Sequence, residues 1–82
     1  MLPPKYVSVV EMKTGETGTV VEVSGGWGLV RRLESLGIRP GNRVTKLSSV
    51  FMRGPVTLVV NRAQIAIGFG MARRIMVQLE NK

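Results

Sequence analysis

An 82-residue chain has room for one domain with a modest core, in which roughly 60% of the unfolded surface becomes buried. Lacking cysteine and histidine, it has no disulfide framework, no thiol chemistry, no cysteine-held iron–sulfur cluster and no imidazole to bind metal or serve as a base near neutral pH. Its net charge of +7 attracts acidic surfaces, whether protein, anionic lipid or nucleic acid, though such charge also simply keeps a small domain soluble.

Residues 1–8 read as a tail and lead-in, followed by one domain over residues 9–80. Met1–Lys5 lacks the apolar core of a signal peptide and is expected to be a loose, proline-stiffened tail. Val7–Met12 is expected to cover one end of the core. Gly15 and Gly18 flank a turn, and Thr19–Val23 reads as a β-branched strand. Ser24-Gly25-Gly26 is a loop whose Ser24 hydroxyl is a candidate cap for the helix that follows, Trp27 to Leu36.

That helix sets Leu29, Val30, Leu33 and Leu36 on one face and Arg31, Arg32, Glu34 and Ser35 on the other. Gly37 stands where a left-handed cap is wanted, since without a Cβ it adopts positive φ cheaply, and Ile38 can then fold back on Leu33. Pro40-Gly41 supplies fixed φ followed by positive φ, the chemistry of a type II turn, before a strand over Arg43–Ser48. Ser49–Pro55 is a loop carrying Val50, Phe51, Met52 and Arg53. A two-residue hairpin comes next: Val56–Val60, a turn at Asn61-Arg62, and Ala63–Ile67, with Asn61 suited to positive φ. Gly68–Ala72 reads as a bend, and Ile75, Val77 and Leu79 alternate on a last strand. About five short strands and one helix predict a mainly β fold, a small partly open barrel that buries one face of each strand and limits exposed edges. Apolar runs such as Leu58–Val60 are strand-sized, far below the roughly 20 residues of a spanning helix, so a soluble cytoplasmic protein is expected.

Chemistry-bearing clusters are few. The acidic residues Glu11, Glu16, Glu22, Glu34 and Glu80 are scattered singly, with no pair at helical spacing, so no metal site and no cofactor are expected. No nucleophile–base pair can be assembled beyond weak Ser/Lys combinations, which argues against an enzyme. Gly25-Gly26-Trp27-Gly28 precedes a helix, but Leu29-Val30 stands where a nucleotide loop needs its Lys-Ser/Thr pair; a structural turn explains it better.

Binding chemistry is more visible. Arg31 and Arg32 lie on the polar helix face, with Arg39 just past its cap, where they could fork onto carboxylates of a partner. An ordinary solvated face explains them equally well. Trp27 is expected as a partly exposed ring at the start of the helix, the kind that anchors interfaces. Phe51 and Met52 beside Arg53 either fold onto the barrel end or are presented to a partner. Trp27, Arg31, Arg32, Phe51, Met52 and Arg53 are therefore the candidate partner contacts, and Gly37, Pro40 and Gly41 the structural turn.

The run Arg32-Leu33-Glu34-Ser35-Leu36-Gly37-Ile38-Arg39-Pro40-Gly41 resembles the Arg-Leu-x-x-Met/Leu-Gly-x-x-Pro-Gly core of the ferrous iron transport protein A (FeoA) family. Met12-Lys13-Thr14-Gly15 with Gly18 and Thr19–Val23 is similar to that family's Leu-Lys-Pro-Gly opening and first strand. Ser24-Gly25-Gly26, Gly54-Pro55-Val56, Ala66 and Ala72–Val77 extend the likeness over roughly residues 9 to 79. Gly68-Phe69-Gly70-Met71 departs from it, since family members usually carry charge in that bend. The resemblance implies an SH3-like β-barrel with the helix inserted after the first strand. It also implies a cytosolic accessory of a prokaryotic ferrous iron transport system, acting on a membrane permease with a cytoplasmic GTPase domain and so drawn to the inner face of the membrane. Two alternatives stay open: a basic nucleic-acid-binding barrel, whose binding would weaken with salt, and the detached barrel domain of an iron-dependent repressor. Against the first, Tyr6, Trp27, Phe51 and Phe69 are too dispersed for an obvious stacking platform. A weak homo-oligomer is also open.

Overall fold

The computed structural model describes residues 4–49 and 54–80. Six antiparallel strands form one sheet in the order β1-β6-β2-β3-β4-β5: β1 (Tyr6–Ser8), β2 (Thr17–Val23), β3 (Arg43–Ser49), β4 (Val56–Val60), β5 (Ala63–Ile67) and β6 (Ile75–Leu79). Helix α1 (Trp27–Ser35) joins β2 to β3, and a short α2 (Phe69–Ala72) joins β5 to β6. The concave face collects Val20, Val44, Leu58, Ile75 and Val77 from alternate strand positions, and Leu33 and Ile38 close over it.

Two local devices follow from residue type. At the end of α1 the Ile38 N–H donates to the Leu33 carbonyl at 3.0 Å and the Gly37 N–H to that of Glu34 at 2.9 Å, the paired bonds of a Schellman cap. Gly37 has φ +91, and a Cβ there would lie 2.8 Å from Asn61 Nδ2 and 3.0 Å from Val60 Cγ1. The Pro40-Gly41 turn closes with a 3.1 Å bond from the Asn42 N–H to the Arg39 carbonyl, with Gly41 at φ +97. Asn42 then ties turn to cap, its Nδ2 donating to the Gly37 carbonyl at 2.7 Å.

The structure departs from the sequence reading in four places. There are six strands rather than five, because Tyr6–Ser8 leaves the lead-in to pair with Met76–Gln78 of β6; only Val9–Glu11 remains as a 3-10 turn. The expected bend over Gly68–Ala72 is instead the helix Phe69–Ala72 with Gly68 at its N-cap, held by the fully buried Ala72. Ser24 does not cap α1. Gly26 occupies that position, while the Ser24 N–H and hydroxyl both donate to the Arg74 carbonyl, at 3.0 and 3.4 Å. Strand β2 begins at Thr17, two residues ahead of the expected start, because its first residues pair with β3 from Thr17↔Thr45 onward.

The interior also holds a cation. Alternation along β3 sends Val44 and Lys46 to the core side, and Lys46 is 2% exposed. Its Nζ donates to the carbonyls of Val9 at 3.1 Å, Val10 at 3.1 Å and Met12 at 2.7 Å. All three ammonium protons therefore have acceptors. Burial pushes this ammonium below its ordinary pKa of 10.5, and Glu16 pulls it part of the way back.

Candidate partner-binding face

Helix α1 is anchored by Leu33, fully buried, with Leu29 packed against the core beside it. The opposite ridge carries Trp27, Arg31 and Ser35 at successive i, i+4 positions. Trp27 is 77% exposed, more than any other large apolar side chain described. The Arg31 guanidinium carbon stands 5.7 Å from the centroid of its ring, a cation–π pair of the exposed kind, about 0.5–1 kcal/mol. That contact sets the two large side chains side by side on the exposed ridge.

Arg32 is also exposed but lies round the helix from this ridge, where its carbonyl accepts the Ser35 hydroxyl at 2.7 Å. Arg39 is exposed beyond the cap. Arg74 was not among the candidates, yet its side chain reaches the loop leading into α1: its Cδ lies 3.3 Å from where a Gly25 Cβ would be. The signal available in sequence was only the Arg73-Arg74 pair; nothing local connects it to Gly25. Together these arginines outnumber Glu34, the acidic residue of the helix, so the face is net positive. The expected contacts Phe51, Met52 and Arg53 lie outside the described residues.

Among the described residues no three carboxylates come together as a metal site, and no helix is long and apolar enough to cross a membrane. A surface ion pair, Arg43 Nε to Glu80 Oε1 at 2.6 Å, joins β3 to the end of β6, away from α1. The face therefore gathers one exposed aromatic ring and several arginines on and beside one helix.

A six-stranded open antiparallel sheet with one inserted helix defines a small SH3-like domain. The FeoA domain family matches residues 7–79, and the chain belongs to that family. It is 36% identical over 66 residues to a Methanocaldococcus jannaschii protein named for Fe(2+) transport, transport protein A, covering 80% of this chain and 78% of that one. Among solved structures, a crystal structure of the iron uptake regulatory protein FeoA superposes with a TM-score of 0.87 at 37% identity, covering 93% of this chain and all of the other. A manganese-dependent transcriptional repressor superposes with a TM-score of 0.85 over 98% of this chain, but only 45% of the repressor is covered, at 23% identity. That last likeness is one of fold.

Proposed function

We propose that this chain is a non-catalytic cytoplasmic accessory of a ferrous iron transport system, and that it works by docking the outer face of α1 on the cytoplasmic, GTPase-bearing region of the iron permease. The observation that carries this is the Trp27–Arg31 pair: an aromatic ring left 77% exposed and held under a guanidinium on a rigid helix. Folding alone gives no reason to leave the chain's one tryptophan in water, whereas tryptophan and arginine dominate binding energy at interfaces. Family membership supports the transport setting, and the net charge of +7 supports an acidic partner surface. Phe51, Met52 and Arg53 belong to the same proposal on their chemistry.

The test is ferrous uptake in a complementation strain. Arg31→Glu with Arg32→Glu is expected to abolish uptake while the chain remains folded. The control is Lys5→Glu with Lys13→Glu, which makes the same change in charge. Both lysines are exposed at the end of the sheet where β2 starts, whereas α1 follows the other end of β2. Equal loss in both double mutants would show that net charge alone matters; no loss in either would show that the helix face is merely solvated.

A further inference from the structure

The two edges of the sheet are built differently. Strand β1 is three residues long, follows Pro4 and Lys5, and its Ser8 N–H is taken by the Glu11 carboxylate at 3.0 Å. Short length, a neighbouring proline and charge, and an occupied donor are the usual ways of blunting an edge. Strand β5 shares only the neighbouring charge, Arg62; it is longer and has no neighbouring proline. Ala63-Gln64-Ile65-Ala66-Ile67 contains no charge and no proline, and its register with β4 runs without a bulge.

The register also says which backbone groups are free. Asn61 (φ 52) and Arg62 (φ 68) form a two-residue turn with both central φ positive, so the flanking pair Val60↔Ala63 exchanges hydrogen bonds. Alternation then turns the N–H and C=O of Ala63, Ile65 and Ile67 toward β4, and those of Gln64 and Ala66 outward. Gln64 and Ala66 are both exposed, and among the described residues their backbone groups have no hydrogen-bond partner.

We infer that β5 is a homodimer edge: two copies of this chain pair β5 against β5, antiparallel, about a two-fold axis at Ile65. In that register Gln64 of one copy stands opposite Ala66 of the other, so the outward groups of each satisfy those of the second in closely spaced, hydrogen-bonded pairs. This self-matching register selects a second copy as the occupant, and the absence of charge within β5 lets that copy approach. A chain of net charge +7 can approach its own copy only along a neutral strip, and β5 is one. The outer face of the adjoining β4, Thr57 and Val59, is uncharged as well. The cation next to β5 along the described chain is Arg62, three residues from the axis; at about 3.4 Å per residue the two copies of it stand about 20 Å apart. That separation exceeds the screening length of about 8 Å at physiological salt. An edge-on contact of one short strand buries less than a standard interface, so the dimer is weak and concentration-dependent. It does not rest on the docking proposal.

Sedimentation equilibrium from about 10 µM to about 1 mM, the range that spans weak association, tests it. Wild type is expected to rise from 9.0 kDa toward twice that mass and stop there, because an isologous contact closes. Ala66→Pro removes an outward N–H that β4 does not use, and Ala66→Lys sets a charge on the axis-facing edge; both are expected to stay at 9.0 kDa with the wild-type far-UV spectrum. Should the proline variant misfold, the lysine variant decides. A wild type that remains at 9.0 kDa throughout, including one whose edge accepts a foreign strand instead, overturns the inference. So does an Ala66→Lys variant that associates as wild type does.

Discussion

Lys46 and Arg31 are both cations on a chain of net charge +7, and the fold uses them in opposite ways. Lys46 is drawn into the interior, 2% exposed, and gives its three protons to the carbonyls that end the 3-10 turn. Arg31 stays outside, laid over a ring that is itself in water. The first arrangement trades solvation for fixed acceptors and bolts the N-terminal turn to β3. The second keeps its solvation on the outer side of the helix. Position, rather than residue type, separates a buried structural cation from an exposed one.

Breaking the interior arrangement has the largest expected effect. Lys46→Met fills the space but strands three carbonyls, so unfolding free energy is expected to fall on the order of 2–4 kcal/mol, read from the denaturant midpoint. A midpoint within error of wild type would mean that water satisfies those carbonyls and that Lys46 is no bolt.

Gly37→Val comes next and sharpens the comparison by disturbing the support of α1 without touching its face. Positive φ and the 2.8 Å approach to Asn61 are expected to cost about 2 kcal/mol. An unchanged midpoint would place the end of the helix elsewhere.

On the outer face the expectation reverses. Arg31→Ala should shift the midpoint by no more than about 1 kcal/mol, the ceiling for an exposed cation–π pair. A larger loss would make Arg31 structural and erase the contrast with Lys46.

The smallest effect is one of pH. Burial lowers the Lys46 pKa, so as pH rises the folded chain releases that proton before the unfolded chain does. Between the lowered value and 10.5 the unfolded state binds more protons, and stability rises with pH. The stability gap between wild type and Lys46→Met should therefore widen from neutral pH toward 10.5; a gap that narrows would contradict the direction of the shift.

These contrasts also mark what could be read from sequence. The Gly37 cap, the Pro40-Gly41 turn and the Asn61-Arg62 hairpin were legible because each is dictated by backbone chemistry within a few residues. Strand β1 was not, since three residues form a strand only by pairing with β6 at the far end of the chain. Helix α2 was hidden because Gly68-Phe69-Gly70 is a poor helix sequence, held in shape by the burial of Ala72. Lys46 was missed for a different reason. Its spacing from Val44 puts it on the core face, but a lysine in a short strand reads as solvent-facing until the carbonyls that receive it are in view. Of the candidate face, the exposed side of α1 followed from helical periodicity, while the approach of Arg74 to Gly25 depended on β6 returning beside β2.

The central claim is that α1 carries the contact, and calorimetric titration of the purified chain into the permease's isolated cytoplasmic region measures it directly. Trp27→Ala and Arg31→Glu are each expected to weaken binding about tenfold or more while denaturant midpoints hold within about 1 kcal/mol. Unchanged affinity in both variants, or no binding by wild type, would contradict the account.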